Sequence, residues 1–286
     1  TVDMASEFIY RNPIINPNDL VILISQSGET ADTKSALKLA KERGAKTLSI
    51  VNVVGSSIAR ESDMVIYTHA GPEISVASTK AYSVQLSIMY LFAFELAYAK
   101  EKISLDTCKE YTSKLLDIPN LVTQTLEHKD ICQKVASKIM NATSLLYIGR
   151  GLDYALSMEG SLKLKEISYI HSEAYASGEL KHGTISLVDE EMPVIAVATQ
   201  DKLFAKTISN IKEVKARGAK VILVCKENAN VDSDVADYII KIPVTDNILM
   251  PMITTVPLQL IAYYTAVHRG NNVYQPRNLA KSVTVE

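Results

Sequence analysis

The sequence predicts an α/β protein with two similar domains, each built around a doubly wound parallel sheet. Short apolar runs alternate with segments of helical spacing, and this alternation is typical of parallel sheets with helices on both faces. The pattern also recurs, because residues from Leu20 onward align without a gap with residues from Val194 onward, at a constant offset of 174 (Ser25 to Thr199). A chain of 286 residues is long enough for two hydrophobic cores.

In the first half, Val21–Ile24 is an apolar, β-branched run that indicates a strand buried on both faces. The spacing of Leu37 and Lys41 then predicts a helix that ends at Arg43-Gly44. The later elements follow from similar runs. The predicted elements of this half are strands at Leu20–Ile24, Thr47–Val51 and Met64–Thr68, and helices at Thr30–Lys41 and Ala77–Ala99.

A helical connector is predicted around Asp106–Met140, interrupted at Pro119 because proline lacks a backbone N–H. The second half opens within Ser144–Ile170 with a strand, a Gly149-Arg150-Gly151 turn and a helix. The last residues, Gln275–Glu286, have no helical period and predict an extended tail. The predicted elements of this half are strands at Leu145–Ile148, Val194–Ala198, Val221–Cys225 and Tyr238–Ile242, and helices at Tyr154–Tyr169, Phe204–Ala216 and Pro257–Arg269.

These elements predict four regions. Residues 1–105 form the first domain, 106–142 the helical connector, 143–274 the second domain and 275–286 the tail. The opening strand, turn and helix of the second half have no counterpart in the first. We therefore expect the first domain to lack its opening strand in this sequence.

Composition excludes several functions. A formal net charge of −2 with interleaved signs offers no basic stripe for nucleic acid. Three cysteines without metal or redox spacing predict a reduced, cytoplasmic protein. No metal and no cofactor are expected. The most apolar segment, Leu86–Ala99, is interrupted by Glu95 and is shorter than the ~20 residues of a membrane span. No membrane partner is expected.

The most informative segment joins the first strand to the first helix, and it reads Ser25-Gln26-Ser27-Gly28-Glu29-Thr30. Backbone N–H groups at a helix N-terminus, with hydroxyls beside them, suit a phosphate. The segment lacks the lysine of a nucleotide-binding P-loop, which favours a phosphomonoester. The alternative is that the hydroxyls merely cap the helix. The aligned segment of the second half, from Thr199 to Phe204, keeps the scaffold but not the hydroxyl-rich loop, and this contrast favours binding.

Five stretches occur in an order typical of one enzyme family. They read ISQSGET at 24–30, EISVASTKA at 73–81, KLKEISYIH at 163–171, GELKHG at 178–183 and QPRNLAKSVTVE at 275–286. Together they resemble the sugar isomerase (SIS) domains of the glucosamine-6-phosphate synthase family, and the likeness covers essentially the whole chain. The glutaminase domain of that family has no counterpart in this sequence.

The resemblance implies a substrate site. Phosphate contacts would come from Ser25, Gln26, Ser27 and Thr30, and sugar contacts from Val76, Ser78 and the backbone of Ala280. The ligands implied are fructose 6-phosphate, glucosamine 6-phosphate and glucose 6-phosphate.

The resemblance also implies catalytic roles for Glu166, Lys163, His182 and Lys281. Glu166 is the expected base for proton transfer between C1 and C2 of the opened sugar, a step that needs a group titrating near neutral pH. Glu159, Lys163 and Glu166 lie on one helix face, and the alternative is a solvated ion-pair ladder. The resemblance assigns roles to Lys163 and Glu166, and Glu159 is expected to be a structural partner.

His182 would open the sugar ring from the neighbouring subunit, which implies a homodimer or larger assembly. Lys281 would form or stabilise an imine with the ketose; the alternative is an exposed C-terminal lysine.

The function implied for the intact enzyme is conversion of fructose 6-phosphate and glutamine-derived ammonia to glucosamine 6-phosphate, in amino-sugar biosynthesis. Without the glutaminase, this chain could bind the ketose phosphate, isomerise it or use free ammonia. Two other interpretations remain: a non-catalytic sugar-phosphate sensor of the SIS type, and a simple sugar-phosphate isomerase or deaminase.

Overall fold

The computed structural model describes residues 1–284, and these residues divide into two compact units. The first unit contains Thr1–Tyr90 together with residues 278–284, and the second contains Leu91–Arg277. The predicted domain boundaries at residues 105, 142 and 274 stay a prediction.

The first unit has a parallel sheet in the order β1-β2-β3. Leu37 of its second helix and Ile50 of its central strand are fully buried. Its elements are α1 (Ala5–Phe8), β1 (Leu20–Ser25), α2 (Ala31–Glu42), β2 (Lys46–Val51), α3 (Ser57–Glu61), β3 (Met64–Tyr67) and the start of α4 (Lys80–Ala99).

The second unit has a parallel sheet of five strands in the order β5-β4-β6-β7-β8. Two short 3₁₀ segments, Ser177–His182 and Thr184–Leu187, follow its edge strand. Its further elements are α5 (Leu105–Leu126), α6 (Lys129–Ile139), β4 (Ser144–Gly149), α7 (Leu152–Ser168), β5 (His171–Ala176), β6 (Pro193–Ala198), α8 (Asp201–Lys215), β7 (Lys220–Lys226), β8 (Tyr238–Ile242) and α9 (Met250–His268).

Helices cover both faces of this second sheet. Ile211 and Val214 of α8 pack with Ile148 and the other β4–β7 side chains that point the same way. The ring of Tyr147, which points to the opposite face, lies against Gly160 of α7. The sheet is therefore buried on both faces, as its continuous apolar strands predict.

The internal repeat has a direct structural counterpart. In the first unit Thr47 N–H donates to Asp63 Oδ2 at 2.8 Å, and 174 positions later Val221 N–H donates to Asp237 Oδ2 at 2.8 Å. Gly44 and Gly218 end equivalent helices with φ of 80° and 92°, a conformation that favours glycine. The predicted α/β fold of two related parallel sheets is confirmed.

Three details of the predicted elements are wrong. Strand β5 was not predicted. Helix α5 runs through Pro119 without a break, and the connector is interrupted only after Leu126. Helix α9 begins at Met250 with Pro251 in its first turn, so Pro257 lies inside the helix rather than at its start. Across residues 1–284, none of the helices combines the length and apolar character that a membrane crossing requires.

Candidate functional site

The turn after β1 is held by its own side chains. Ser25 is buried at the carboxyl end of the strand, and its Oγ accepts a hydrogen bond from Gly28 N–H at 3.0 Å. The Ser25 and Thr30 hydroxyls are 2.9 Å apart. Ser27 Oγ accepts from Glu29 N–H at 3.2 Å, and the Gln26 carbonyl accepts from Asn52 N–H at 3.1 Å. The hydroxyls and backbone amides therefore converge on one compact turn.

Gly28 and Glu29 fix this turn against α3. Gly28 has φ +67°, and a Cβ there would lie 2.0 Å from Ser56 Oγ. Glu29 Oε1 accepts from Ser57 N–H, the first residue of α3, at 2.7 Å. This hydrogen bond lowers the pKa of the Glu29 carboxyl. The turn cannot shift without breaking these contacts.

The hydroxyls do not simply cap α2. Thr30 occupies the N-cap position but makes no side-chain capping bond, since its hydroxyl pairs with Ser25. The N–H of Ala31 donates instead to the carbonyl of Val283, at 3.2 Å. The capping interpretation is therefore wrong for Thr30, and the C-terminal segment contacts the start of the helix.

The same C-terminal segment places Lys281 in the first unit. Ser282 Oγ lies 3.0 Å from Ser27 Oγ. Lys281 Nζ donates to the Ser75 carbonyl at 2.6 Å and to Ser78 Oγ at 3.3 Å. The amine is thus held against the 75–78 loop, while the next residue contacts the β1–α2 turn. Val285 and Glu286, part of the predicted tail, lie outside the described residues.

The 75–78 loop has a defined shape. Ser78 has a positive φ of 52°, and its Oγ lies 3.5 Å from the Val76 carbonyl. Glu73 accepts hydrogen bonds from the N–H groups of Thr79 and Ala81, at 3.1 and 2.9 Å, where α4 begins. Ala280 is exposed beside Lys281. The first unit therefore contains every residue predicted to bind substrate.

The second unit contains the predicted acid–base cluster on α7. Lys163 Nζ lies 2.7 Å from Glu166 Oε2 and 3.7 Å from Glu159 Oε1. Their side chains are 8%, 21% and 13% exposed for Lys163, Glu166 and Glu159. Burial raises the pKa of the Glu159 carboxyl, and the Glu166 charge adds to this while Lys163 opposes it. The cluster is therefore not a solvated surface ladder.

His182 also lies in the second unit, at the end of the first 3₁₀ segment. It is exposed, and the following residue, Gly183, has φ 143°. The preceding residue, Lys181, pairs with Glu213 at 2.9 Å.

Several residues that shape these sites were missed by the sequence reasoning. They include Ser56 and Ser57, which fix the turn, and Glu73, which caps α4. Only Glu73 carried a signal, because it stands six residues before Thr79 in the EISVASTKA stretch. Ser56 and Ser57 meet the turn through tertiary packing and leave no local pattern.

Comparison with known proteins gives a consistent result. Residues 1–94 and 138–269 match the SIS domain family. The chain is 58% identical over 285 residues to the glutamine–fructose-6-phosphate aminotransferase (isomerizing) of Caldanaerobacter subterraneus subsp. tengcongensis, covering 100% of this chain and 47% of that protein. The chain thus spans about half the length of the curated relatives it matches.

Two solved structures agree. The C-terminal domain of glucosamine-fructose-6-phosphate aminotransferase from Francisella tularensis has a TM-score of 0.92 at 40% identity, over 96% of this chain and 78% of that one. A glucosamine-6-phosphate deaminase from Thermotoga maritima has a TM-score of 0.75 at 26% identity, over 98% and 80%. The chain therefore belongs to the SIS domain family, together with the C-terminal domain of the glucosamine-fructose-6-phosphate aminotransferases.

Proposed function

We propose that this chain binds fructose 6-phosphate through the Ser25–Thr30 turn and converts it, with ammonia, to glucosamine 6-phosphate. The observation that carries the proposal is the position of Lys281. Its amine is fixed on the 75–78 loop by the same segment whose Ser282 contacts Ser27 in the turn. The reaction is the one for which the similar aminotransferases are named.

The phosphate would be bound mainly by neutral donors. Hydroxyls of Ser25, Ser27 and Thr30 surround the start of α2, whose helix dipole favours an anion. Hydrogen bonds and the helix dipole, rather than a charged side chain, would stabilise the phosphate at this end of the sugar. Val76, Ser78, Gln26 and the Ala280 backbone would complete the contacts.

Lys281 would act at the carbonyl end of the open-chain sugar. Its amine would add to the C2 carbonyl and lose water to form an imine, which ammonia then displaces. Release of the lysine leaves the nitrogen of ammonia on C2. A purely electrostatic role would instead leave the carbonyl oxygen in place until ammonia attacks.

Glu166 would transfer the proton. As a base it takes a proton from C1 and returns one to C2, which converts the ketose imine to the aldose amine. Lys163, 2.7 Å from Glu166, would orient that carboxylate. His182 of the partner subunit would open the furanose ring, so the active species would be a homodimer or larger. The cytoplasmic location stays a prediction.

The test is to incubate the full chain with fructose 6-phosphate, with and without an ammonium salt. We expect glucosamine 6-phosphate only when ammonium is present, and no product from glutamine. Glucose 6-phosphate as the sole product would favour a simple isomerase, and binding without turnover would favour a sugar-phosphate sensor.

Two variants separate the roles. Glu166→Gln should abolish exchange of the sugar C1 proton with solvent while fructose 6-phosphate still binds. Lys281→Ala should lower kcat more than it raises KM. Full proton exchange in the first variant, or a change confined to KM in the second, would remove that residue from its proposed role.

A further inference from the structure

The second unit has the strand order that places a ligand site in other parallel α/β sheets, and the space outside the carboxyl ends of β4 and β6 is called the β4–β6 crevice below. Strand β4 lies between β5 and β6, so the direction of chain progression reverses between β4 and β6. Ligands of such sheets bind outside the carboxyl ends of the strands at this reversal. In the repeat, the turn after β6, at Thr199-Gln200, corresponds to Ser25-Gln26.

Asp153 fills this crevice. It projects from the first turn of α7 and is 1% exposed. Its Oδ2 accepts from the N–H groups of Thr199 and Gln200 at 2.8 and 3.3 Å, and its Oδ1 accepts from Thr199 Oγ1 at 2.5 Å. Burial raises the pKa of Asp153, and these hydrogen bonds act in the opposite direction. Two backbone amides and one hydroxyl are donors of the kind that bind a small oxyanion.

A second polar group occupies the neighbouring space. Lys226, at the end of β7, has a side chain 6% exposed. Its Nζ donates to Asp201 Oδ1 at 2.7 Å and to Asn247 Oδ1 at 2.6 Å, and Asn247 Nδ2 donates to Asp201 Oδ2 at 3.0 Å. Asp201, the first residue of α8, is therefore hydrogen-bonded to side chains of the same chain.

We propose that the β4–β6 crevice is a carboxylate-sized anion site whose permanent occupant is Asp153. The side chain satisfies the donors that an external oxyanion would otherwise use, which leaves no place there for a sugar phosphate. Both halves thus retain a turn with anion-binding donors, and in the second half the ligand is built into the chain. This inference concerns the second unit alone and does not depend on the proposed function.

The test uses formate, which has the size of the lost carboxylate, as the probe. In Asp153→Ala, three donors lose their acceptor, and we expect the thermal unfolding midpoint to fall by about 5 °C or more. Sodium formate should restore most of this loss in a saturable way, because an anion that binds only the folded state stabilises it. Sodium chloride at equal ionic strength is the reference.

The matched control is Asp153→Asn, whose amide has the same shape and fills the crevice without a charge. Its midpoint, like that of the wild type, should not respond to formate beyond the chloride reference. The proposal is wrong if formate leaves the alanine variant unchanged or stabilises the wild type equally. Should the alanine variant fail to fold in chloride, refolding that requires formate supports the proposal, and refolding that formate does not improve contradicts it.

Discussion

Gly28 is the residue on which the shape of the Ser25–Thr30 turn depends most directly. Its φ of +67° disfavours a side chain, and a Cβ would also lie 2.5 Å from the Cβ of Ser56. We expect Gly28→Ala to lower the free energy of unfolding by about 3 kcal/mol, because the cost of a positive φ and the clash with the Ser56 side chain add. Affinity for fructose 6-phosphate, measured by calorimetric titration, should fall at least tenfold (about 1.4 kcal/mol).

Gly55 supplies the control for that substitution. Its φ is +73°, yet a Cβ there meets nothing within 4 Å. Gly55→Ala should therefore cost about 1 kcal/mol from the backbone conformation alone and leave sugar-phosphate affinity unchanged. Equal effects of the two substitutions on affinity would show that contact with Ser56 does not shape the turn.

Glu159 predicts a pH dependence of stability. Burial raises the pKa of its carboxyl above the ordinary value of 4.5, so the folded state holds this proton more tightly than the unfolded chain does. The free energy of unfolding must then fall as the pH increases from about 4.5 towards the raised value. Glu159→Gln removes this titration, and the variant should gain stability relative to the wild type across that window. Urea unfolding at a series of pH values measures the difference, and parallel curves would contradict the prediction.

Among single residues, the sequence predicts the candidate site residues better than the residues that hold them in place. Ser25, Ser27 and Thr30 could be found because strand, turn and helix follow one another without a gap. Lys163 and Glu166 could be found from helical spacing, but their burial could not. Ser56 and Asp153 act through contacts between distant segments. No local pattern carries such contacts.

At the scale of elements, each unit has an equivalent aspartate carboxylate that joins two neighbouring strands, Asp63 in the first unit and Asp237 in the second. The Thr47 N–H hydrogen bond lowers the pKa of Asp63. For Asp237, burial raises the pKa, but the Lys215 ion pair and the Val221 N–H outweigh it and the net shift is downward. A lowered carboxyl pKa contributes stability above the unfolded value of 3.8 and loses it as the pH falls through the folded value.

We therefore expect Asp63→Asn and Asp237→Asn each to lower the free energy of unfolding at neutral pH, since asparagine keeps the acceptor but not the charge. The deficit should shrink below pH 3.8, where the wild-type carboxyls also become neutral. Chemical denaturation at neutral and acid pH measures this change. A deficit that is constant with pH would mean that shape rather than charge holds the strands.

The misplaced elements have physical causes. Strand β5 has one fully buried side chain, Ser172, which bonds Ser161 rather than an apolar neighbour. It therefore lacks the apolar signal by which strands are found. Pro257 lies within α9 and is itself buried, so tertiary packing compensates the missing N–H. Pro119 is exposed, and α5 continues through it with Leu115 and Ile118 buried in the preceding turn. Proline in a sequence predicts a break in a helix only where tertiary packing does not outweigh the lost hydrogen bond.

For the whole molecule, the repeat explains why the two halves can differ in function. Each half retains a parallel sheet and the same carboxylate hydrogen bond, so the fold does not depend on what the turns bind. One turn is then free to bind substrate while the other accepts a carboxylate from its own chain. The fold class was predictable because its sequence pattern repeats. The proposed difference between the two turns was visible in the sequence only as a loss of hydroxyl side chains in the second turn.

The proposed assembly can be tested through the sharing of His182. If His182 of the partner subunit serves each site, chains with His182→Ala and chains with Lys281→Ala should be inactive alone but should complement each other. A heterodimer then has one site with an intact lysine and an intact partner histidine, so random mixing restores about a quarter of the sites. Unfolding the two variants together and refolding them, followed by assay of amino-sugar formation, measures this. If His182 instead served its own chain, both sites of every heterodimer would lack one group and the mixture would stay inactive.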